Sequence, residues 1–319
     1  MFSILKNKFH KQAANNTSNH TQIITLKNLC LPAILLILSS ISISLSSNIT
    51  NNKISFFKPV IDSLIERGAD SSFVHNLISN EQIEFNEKFV KINVSSSLKK
   101  TKPDYSKHYN ARAVNKTKIF IEEYKNTLQR AEAMYQVPKE VIASILWVET
   151  RHGGYTGKNN VVSVFLSTAM ASQEEYVNLN ISVIEKEYQN NPKKIKELTK
   201  KVIQRAKKKS QWALNELLAL EKIAIISPIE ITELKGSWAG AFGLSQFLPS
   251  SYMSWAVDGN YDGKINLFDK TDAIFSVGNY LKTNGWGKEL KKQRKAVYHY
   301  NHSQDYVDAV LKLADLVKI

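Results

Sequence analysis

The segment PKEVIASILWVETRHGG, Pro138 to Gly154, constrains this chain more than any other, because it is a helix that carries a carboxylate on its apolar face. Pro138 suits the first turn of a helix, Ala143, Ile145 and Leu146 propagate it, and Gly153 and Gly154 terminate it. Glu149 then falls in the last turn. Ile142, Ile145, Leu146 and Glu149 follow one another at i, i+3, i+4 and i+7, so the carboxylate shares the stripe that turns toward a core. Apolar neighbours and the helix C-terminal dipole both favour the neutral acid, which raises its pKa. Such a group serves as a general acid near neutrality. The plainer alternative is that Glu149 marks where the helix meets solvent.

Helical periodicity recurs along the chain and predicts a mainly α fold. FKPVIDSLIERG, Phe57 to Gly68, reads as an amphipathic helix with Val60, Leu64 and Ile65 on one face, and Asp70 or Ser71 caps a second helix through Val74, Leu77 and Ile78. From Ile83 to Pro103 the pattern is irregular and polar, as a surface connection is. A long helical signal runs from Asn115 to Tyr135. VVSVFLSTAMA after Gly157 fits a strand by its β-branched residues or a buried helix by its length, and its helical neighbours favour helix. The expected organisation is a targeting segment over 1–47, a small helical lead-in over 48–104 and a larger helical domain over 105–319.

Charge restricts partners more than fold. The net charge of +14 points to an anionic partner: nucleic acid, a membrane surface or an acidic polymer such as a cell wall. Between Lys193 and Lys209 there are nine Lys or Arg residues against one Glu, with Ile195, Leu198, Val202 and Ala206 at helical spacing. That basic amphipathic helix is either a solvated helix resting on the core or a contact with an anionic surface. Cys30 is the sole cysteine, which excludes an intramolecular disulfide and a cysteine zinc site. The first 28 residues carry Lys6, Lys8, Lys11 and Lys27 without an acidic residue, and no charge occurs from Asn28 to Asn52. LCLPAILLIL followed by small residues reads as a signal peptide; extended to Leu45 it reads as an N-terminal membrane anchor. Either way the bulk of the chain is expected outside the cytoplasm.

Three further stretches carry chemistry. In GSWAGAFGLSQFLPSSY, Gly236 to Tyr252, glycines allow close backbone approach around Ser237, Trp238 and Gln246, a hydrogen-bonding set beside an aromatic of the kind that sugars use. In DGNYDGKINLFD, Asp258, Asn260 and Asp262 at positions 1, 3 and 5 and Gly263 at 6 repeat the start of an EF-hand calcium loop, with the Lys264 carbonyl pointing inward. Position 12 is Asp269, whose side chain is short, so Asp272 is the alternative closing carboxylate. In YHYNHSQDYVDAVLKLA, Tyr300, Asn301 and Tyr306 precede or open a helix faced by Val307, Val310, Leu311 and Ala314. His299 and His302 have no acidic partner at zinc spacing.

Taken together and in this order, WVETRHGG, GSWAGAFGLSQFLPSSY, AVDGNYDGKINLFDKTDAIFSVGNYLKTNGW and YNHSQDYVDAVL resemble the successive motifs of the lytic murein transglycosylase B family. The resemblance covers most of Asn110 to Leu313. It implies a lysozyme-like, mainly α-helical catalytic domain with a small helical N-terminal segment and an EF-hand-like loop. It also implies a periplasmic or envelope enzyme that cleaves the MurNAc-GlcNAc bond of peptidoglycan without water, leaving 1,6-anhydro-MurNAc. By the same resemblance Glu149 is the lone catalytic acid and then base; Ser237, Gln246, Asn301 and Tyr306, with Tyr300 beside them, line the sugar cleft. Asp258, Asn260, Asp262, Lys264 and Asp272 would hold a structural Ca2+ ion. Glycan strands, not nucleic acid, become the partner. Two rivals share the fold: a non-catalytic peptidoglycan-binding protein and a lysozyme-type hydrolase. The chain departs from the family pattern where only residues 287–300 separate Trp286 from Asn301, at the basic helix, at His152 where an aromatic is usual, and at Ser245.

Overall fold

The apolar stripes read from the sequence close on a shared helical core. The computed structural model describes residues 52–93, 104–227 and 229–318, which all fall in the unit Thr50–Ile319. The targeting segment lies outside the described residues. Among the described residues no helix is long and apolar enough to cross a membrane.

The lead-in begins with α1 (residues 52–66) and α2 (Ser71–Ser79). The Asp70 side chain accepts the Phe73 N–H, so Asp70 is the cap of α2. On α1 the buried stripe is Phe57, Val60, Ile61 and Leu64, whereas Ile65 remains 38% exposed, because the 3.6 period carries position 65 past the edge of that face. Arg67 binds the side chains of Gln211 and Asn215, and the Asp70 N–H donates to Glu221 at 2.6 Å. The irregular stretch that follows is laid along a buried helix by Ser163 and Ser167, whose hydroxyls accept the N–H groups of Glu84 and Asn86, each at 2.9 Å.

The expected continuous helix from Asn115 to Tyr135 is two: α3 (Ala111–Glu123) and α4 (Lys125–Tyr135). The break sits at Tyr124, whose ring packs on Phe120 at 4.8 Å and lies beneath the Lys270 ammonium at 5.6 Å. Bending there lets each half pack on a different neighbour. Next come α5 (Lys139–Thr150), the two-residue β1 (Asn159–Asn160), α6 (Val161–Ala169) and α7 (Glu174–Glu187). VVSVFLSTAMA is therefore helical, with every residue of α6 buried.

The basic segment is the first half of α8 (Pro192–Ile226), a 35-residue helix about 50 Å long at 1.5 Å per residue. Leu198 and Val202 pack with Ile184 of α7 in a small core of their own, whereas Ala213, Leu214, Leu217, Leu220 and Ile223 enter the main core. After α8 come β2 (Lys235–Gly236), α9 (Pro249–Trp255), α10 (Lys270–Thr283), α11 (Leu290–Tyr300) and α12 (Gln304–Val317). The strands pair antiparallel, Asn159 opposite Gly236 and Asn160 opposite Lys235. α12 lies across α5, and α10 packs on α4 and α5, so the C-terminal end of α5 is enclosed by elements far from it in sequence.

Candidate active site

At the end of α5 three successive residues take left-handed backbone angles, Arg151 (φ 55°), His152 (φ 58°) and Gly153 (φ 92°), which stops the helix at Thr150, one residue after Glu149. Thr150 fixes the turn: its hydroxyl donates to the Leu244 carbonyl at 3.0 Å and accepts the Gly153 N–H at 3.0 Å. His152 replaces an aromatic by behaving as one. Its ring stacks on Phe120 at 4.0 Å with 1° between planes, and its Nε2 lies 3.0 Å from the Ala143 carbonyl. Burial holds its pKa down at about 4, so it is a neutral donor to that carbonyl at ordinary pH.

Glu149 itself keeps a partial opening to solvent. Burial nevertheless raises its pKa to about 7, against the opposing pull of one hydrogen bond, from the Tyr306 hydroxyl to Oε1 at 2.6 Å. The expectation of an acid on an inward face is met in geometry. Tyr306, on α12, is 1% exposed and stacks parallel to Tyr300 at 6.5 Å. The Tyr300 hydroxyl donates to the Ser245 carbonyl at 2.6 Å, and the Tyr280 ring meets it edge-on at 4.7 Å. Burial and the Glu149 charge push both Tyr300 and Tyr306 well above the usual phenol range, so they stay neutral donors. Tyr105 closes the other side with its ring edge on Tyr306 at 6.2 Å. Neither Tyr105 nor Tyr280 was singled out in the sequence.

The glycine-rich loop lies against this corner because its glycines let backbones touch. A Cβ on Gly157 would fall 2.1 Å from the Gly236 backbone, and one on Gly240 would fall 2.3 Å from the Phe165 ring. The Ser237 hydroxyl accepts the N–H groups of Ala239 at 3.3 Å and Ala241 at 3.2 Å, which leaves its own proton free to donate. Gln246 sits at φ 50° and donates from Nε2 to the carbonyls of Gly243 at 2.9 Å and Thr156 at 3.1 Å. Its amide thus ties the two glycine turns together and turns its remaining capacity to Oε1. Asn301 ends α11 in extended backbone, its side chain half-buried and unbonded among the described residues. Trp238 is 74% exposed at the rim. Ser245 is fully buried, its carbonyl taken by Tyr300 and its hydroxyl unpartnered.

A buried acid that sequence reading passed over holds this loop from below. Glu216 of α8 accepts the Ser250 N–H at 2.9 Å and the Ser250 hydroxyl at 2.8 Å, and the Trp212 side chain hydrogen-bonds to it as well. It supplies the cap that Leu248 cannot give α9.

In the expected calcium loop, the Asp258 carboxylate accepts the N–H groups of Asp262 at 3.2 Å and Gly263 at 2.8 Å, and Asn260 and Asp262 accept those of Asp262 and Lys264. Asp269 is occupied as the cap of α10. Asp272, 1% exposed, accepts Gly259 N–H at 2.9 Å and Asn266 N–H at 2.7 Å, so one carboxylate ties both limbs of the loop. Among the described residues no three His, Cys, Asp or Glu side chains form a metal-holding group. On the basic half of α8, Lys194 and Lys201 pair with Glu197, and Arg205 and Lys209 donate to backbone carbonyls of residues 89–93, while Lys196, Lys200, Lys207 and Lys208 are exposed and form no ion pair among the described residues.

With this geometry in hand, comparison with known proteins identifies the surroundings. Residues 55–296 match the model of the Transglycosylase SLT domain. Over 170 residues the chain is 34% identical to membrane-bound lytic murein transglycosylase B of Escherichia coli K12, a match covering 53% of this chain and 38% of that relative. The chain thus spans well under half the length of that relative. Among solved structures, the E. coli lytic transglycosylase SLT35 in complex with calcium superposes with a TM-score of 0.61 at 23% identity, covering 82% of this chain and 92% of that one. SltB3 from Pseudomonas aeruginosa, in complex with NAG-NAM-pentapeptide, gives a TM-score of 0.61 at 17% identity, covering 83% and 79%. The stretch matched by the family model takes in α5 with Glu149, the glycine-rich loop and the 258–272 loop, and the chain belongs to the Transglycosylase SLT domain family.

Proposed function

We propose that the protein is a peptidoglycan lytic transglycosylase in which Glu149 acts alone, first as acid and then as base. The observation that carries this reading is a single carboxyl group with its pKa at about 7, hydrogen-bonded by a phenol that stays protonated. The neutral acid gives its proton to the glycosidic oxygen as the C1–O bond breaks, and the GlcNAc leaves as an alcohol. The MurNAc acetamido carbonyl supports the positive charge at C1, the role that a second carboxylate plays in ordinary glycosidases. The Glu149 carboxylate then takes the proton of the C6 hydroxyl while O6 bonds to C1. No water enters, and Glu149 ends as it began.

Ser237 and Gln246 offer a donor and an acceptor to hydroxyl and acetamido groups, Asn301 offers an unspent amide, and Tyr300 and Tyr306 form the wall behind Glu149. Asp258, Asn260, Asp262, the Lys264 carbonyl and Asp272 are an all-oxygen set of the kind calcium takes, and each carboxylate oxygen keeps a lone pair beyond the amide it accepts. In this reading the ion holds the loop and takes no part in the reaction. Export is supported by the basic, acid-free N-terminus and the uncharged stretch from Asn28 to Asn52. The unpaired lysines of α8 fit contact with an anionic membrane or wall surface.

The test compares wild type with Glu149→Gln on purified peptidoglycan, weighing the soluble products. Wild type should release 1,6-anhydro-muropeptides, one water lighter than hydrolytic products. The variant, which keeps shape but has no proton to give, should lose about 10² to 10⁴-fold in rate while still sedimenting with the wall. Reducing ends from wild type would establish a hydrolase instead, and undiminished release by the variant would remove Glu149 from the chemistry.

A further inference from the structure

Beyond the cleft a second cavity, of about 420 Å3, lies where the lead-in meets the two-stranded ladder. Gln82, Glu84, Asn86 and Lys88 line one side, and Asn159 and Lys235 the other, with the Phe89 ring alongside Lys88. The ladder joins this cavity to the proposed cleft. Gly236 is the partner of Asn159, and Ser237 stands two residues from Lys235, about 7 Å along an extended strand. The contact of Gly157 with Gly236 is bare backbone, so neither residue of that crossing adds a side chain of its own.

The polar groups around this cavity are only partly spent. Lys88 Nζ lies 4.6 Å from the Phe89 ring centre and donates once, to Asn159 Oδ1 at 2.9 Å. Lys235 is exposed and has no ion pair among the described residues. Asn86 uses its Oδ1 on the Lys88 N–H at 3.1 Å, and its amide NH2 has no partner among the described residues. Glu84 gives the wall one negative charge, so the cavity is no general anion trap. Two ammonium groups, one carboxylate and several amides together match a short peptide that carries carboxylates and an amine.

We infer that this cavity holds the stem peptide of a glycan strand lying in the cleft, with Lys88 and Lys235 taking its carboxylates. The inference rests on the proposed peptidoglycan reading, in which a peptide-bearing sugar beside Ser237 sends its peptide across β2. A pocket open to solvent, with Lys88 and Lys235 exposed on its walls, tunes binding of the decorated strand and leaves the bond-breaking step to Glu149.

The experiment uses the full chain and two substrates: peptide-bearing peptidoglycan strands, and the same strands with their peptides removed. Lys88→Gln with Lys235→Gln should raise KM for peptide-bearing strands by about 2- to 5-fold for each lysine, the worth of an exposed charge pair. kcat on both substrates and KM on stripped strands should stay at wild-type values, and Lys88→Arg with Lys235→Arg should restore KM. Equal loss on both substrates would overturn the inference in favour of a glycan contact, and no change on either would overturn it outright. Wild type inactive on both would mark failure of the proposed function instead. Equilibrium binding of a disaccharide-pentapeptide would then decide the cavity: weaker binding by the Lys→Gln pair supports it, and equal binding removes it.

Discussion

Raising a carboxyl pKa from 4.5 to about 7 makes Glu149 a cost to the folded chain wherever the group would otherwise ionise. The unfolded chain gives up its proton near pH 4.5, while the folded one retains it until about pH 7, so the native state binds more protons across that window. Stability contributed by the neutral acid is full below pH 4.5 and is lost as pH rises toward 7. At 1.36 kcal/mol per unit the difference is about 3 kcal/mol as an upper value. Glu149→Gln should therefore be more stable than wild type by up to that amount at pH 8 and equal to it at pH 4, measured by denaturant unfolding at both pH values. A variant less stable than wild type at pH 8 would contradict the raised pKa. At this scale the helical period alone marked Glu149 in the sequence. Its partner Tyr306 lies 157 positions away, and no local pattern announces that pairing; the resemblance put Tyr306 in the cleft without tying it to Glu149. His152 was legible as a departure from an aromatic, but its stacking on Phe120 needed coordinates.

Elements were more readable than the joints between them. The Asp70 cap is local chemistry and appears where the residues said, whereas α5 begins just after Pro138 and ends at Thr150, its left-handed turn opened by Arg151 and His152 ahead of the glycines. Tyr124 was not readable as a break, because the bend comes from what α3 and α4 pack against and not from a breaker residue. Glu216 was equally hidden: as the cap of another helix, it works across a distance that periodicity does not report. The 258–272 loop shows both sides. The spacing of Asp258, Asn260, Asp262 and Gly263 was legible, whereas the double hold of Asp272 on the two limbs was not. With calcium at 100 to 1,000 times its dissociation constant, binding to the native loop alone adds about 3 to 4 kcal/mol. Purified, metal-free protein should therefore melt at a clearly higher temperature once calcium is added, and Asp258→Ala with Asp272→Asn should abolish the gain. An unchanged melting temperature in wild type would remove the ion from the proposal.

For the whole molecule, the surplus of positive charge is a property of one surface more than of the average. Lys196, Lys200, Lys207 and Lys208 stand on the solvent side of α8, opposite Leu198, Val202 and Ala206. Contact with an anionic surface through these lysines should weaken as salt shortens the screening length from about 10 Å at 0.1 M to about 3 Å at 1 M. Sedimentation with purified walls or anionic vesicles should drop across that range in wild type and already be low in a variant with the four lysines replaced by Gln. Salt-independent sedimentation would leave the helix as a solvated face.

The division of α8 between two cores also sets how the helix breathes. An amide in its first half is protected by the small core of Ile184, Leu198 and Val202 and by the ties of Arg205 and Lys209 to residues 89–93, while one near Leu217 or Ile223 exchanges only when the central packing opens. Native-state hydrogen exchange should therefore report a gradient along one unbroken helix, with residues 193–206 losing protection under mild denaturant and residues 213–223 holding until global unfolding. The end that meets the surroundings can then fray and re-form while the end that caps α9 through Glu216 stays shut.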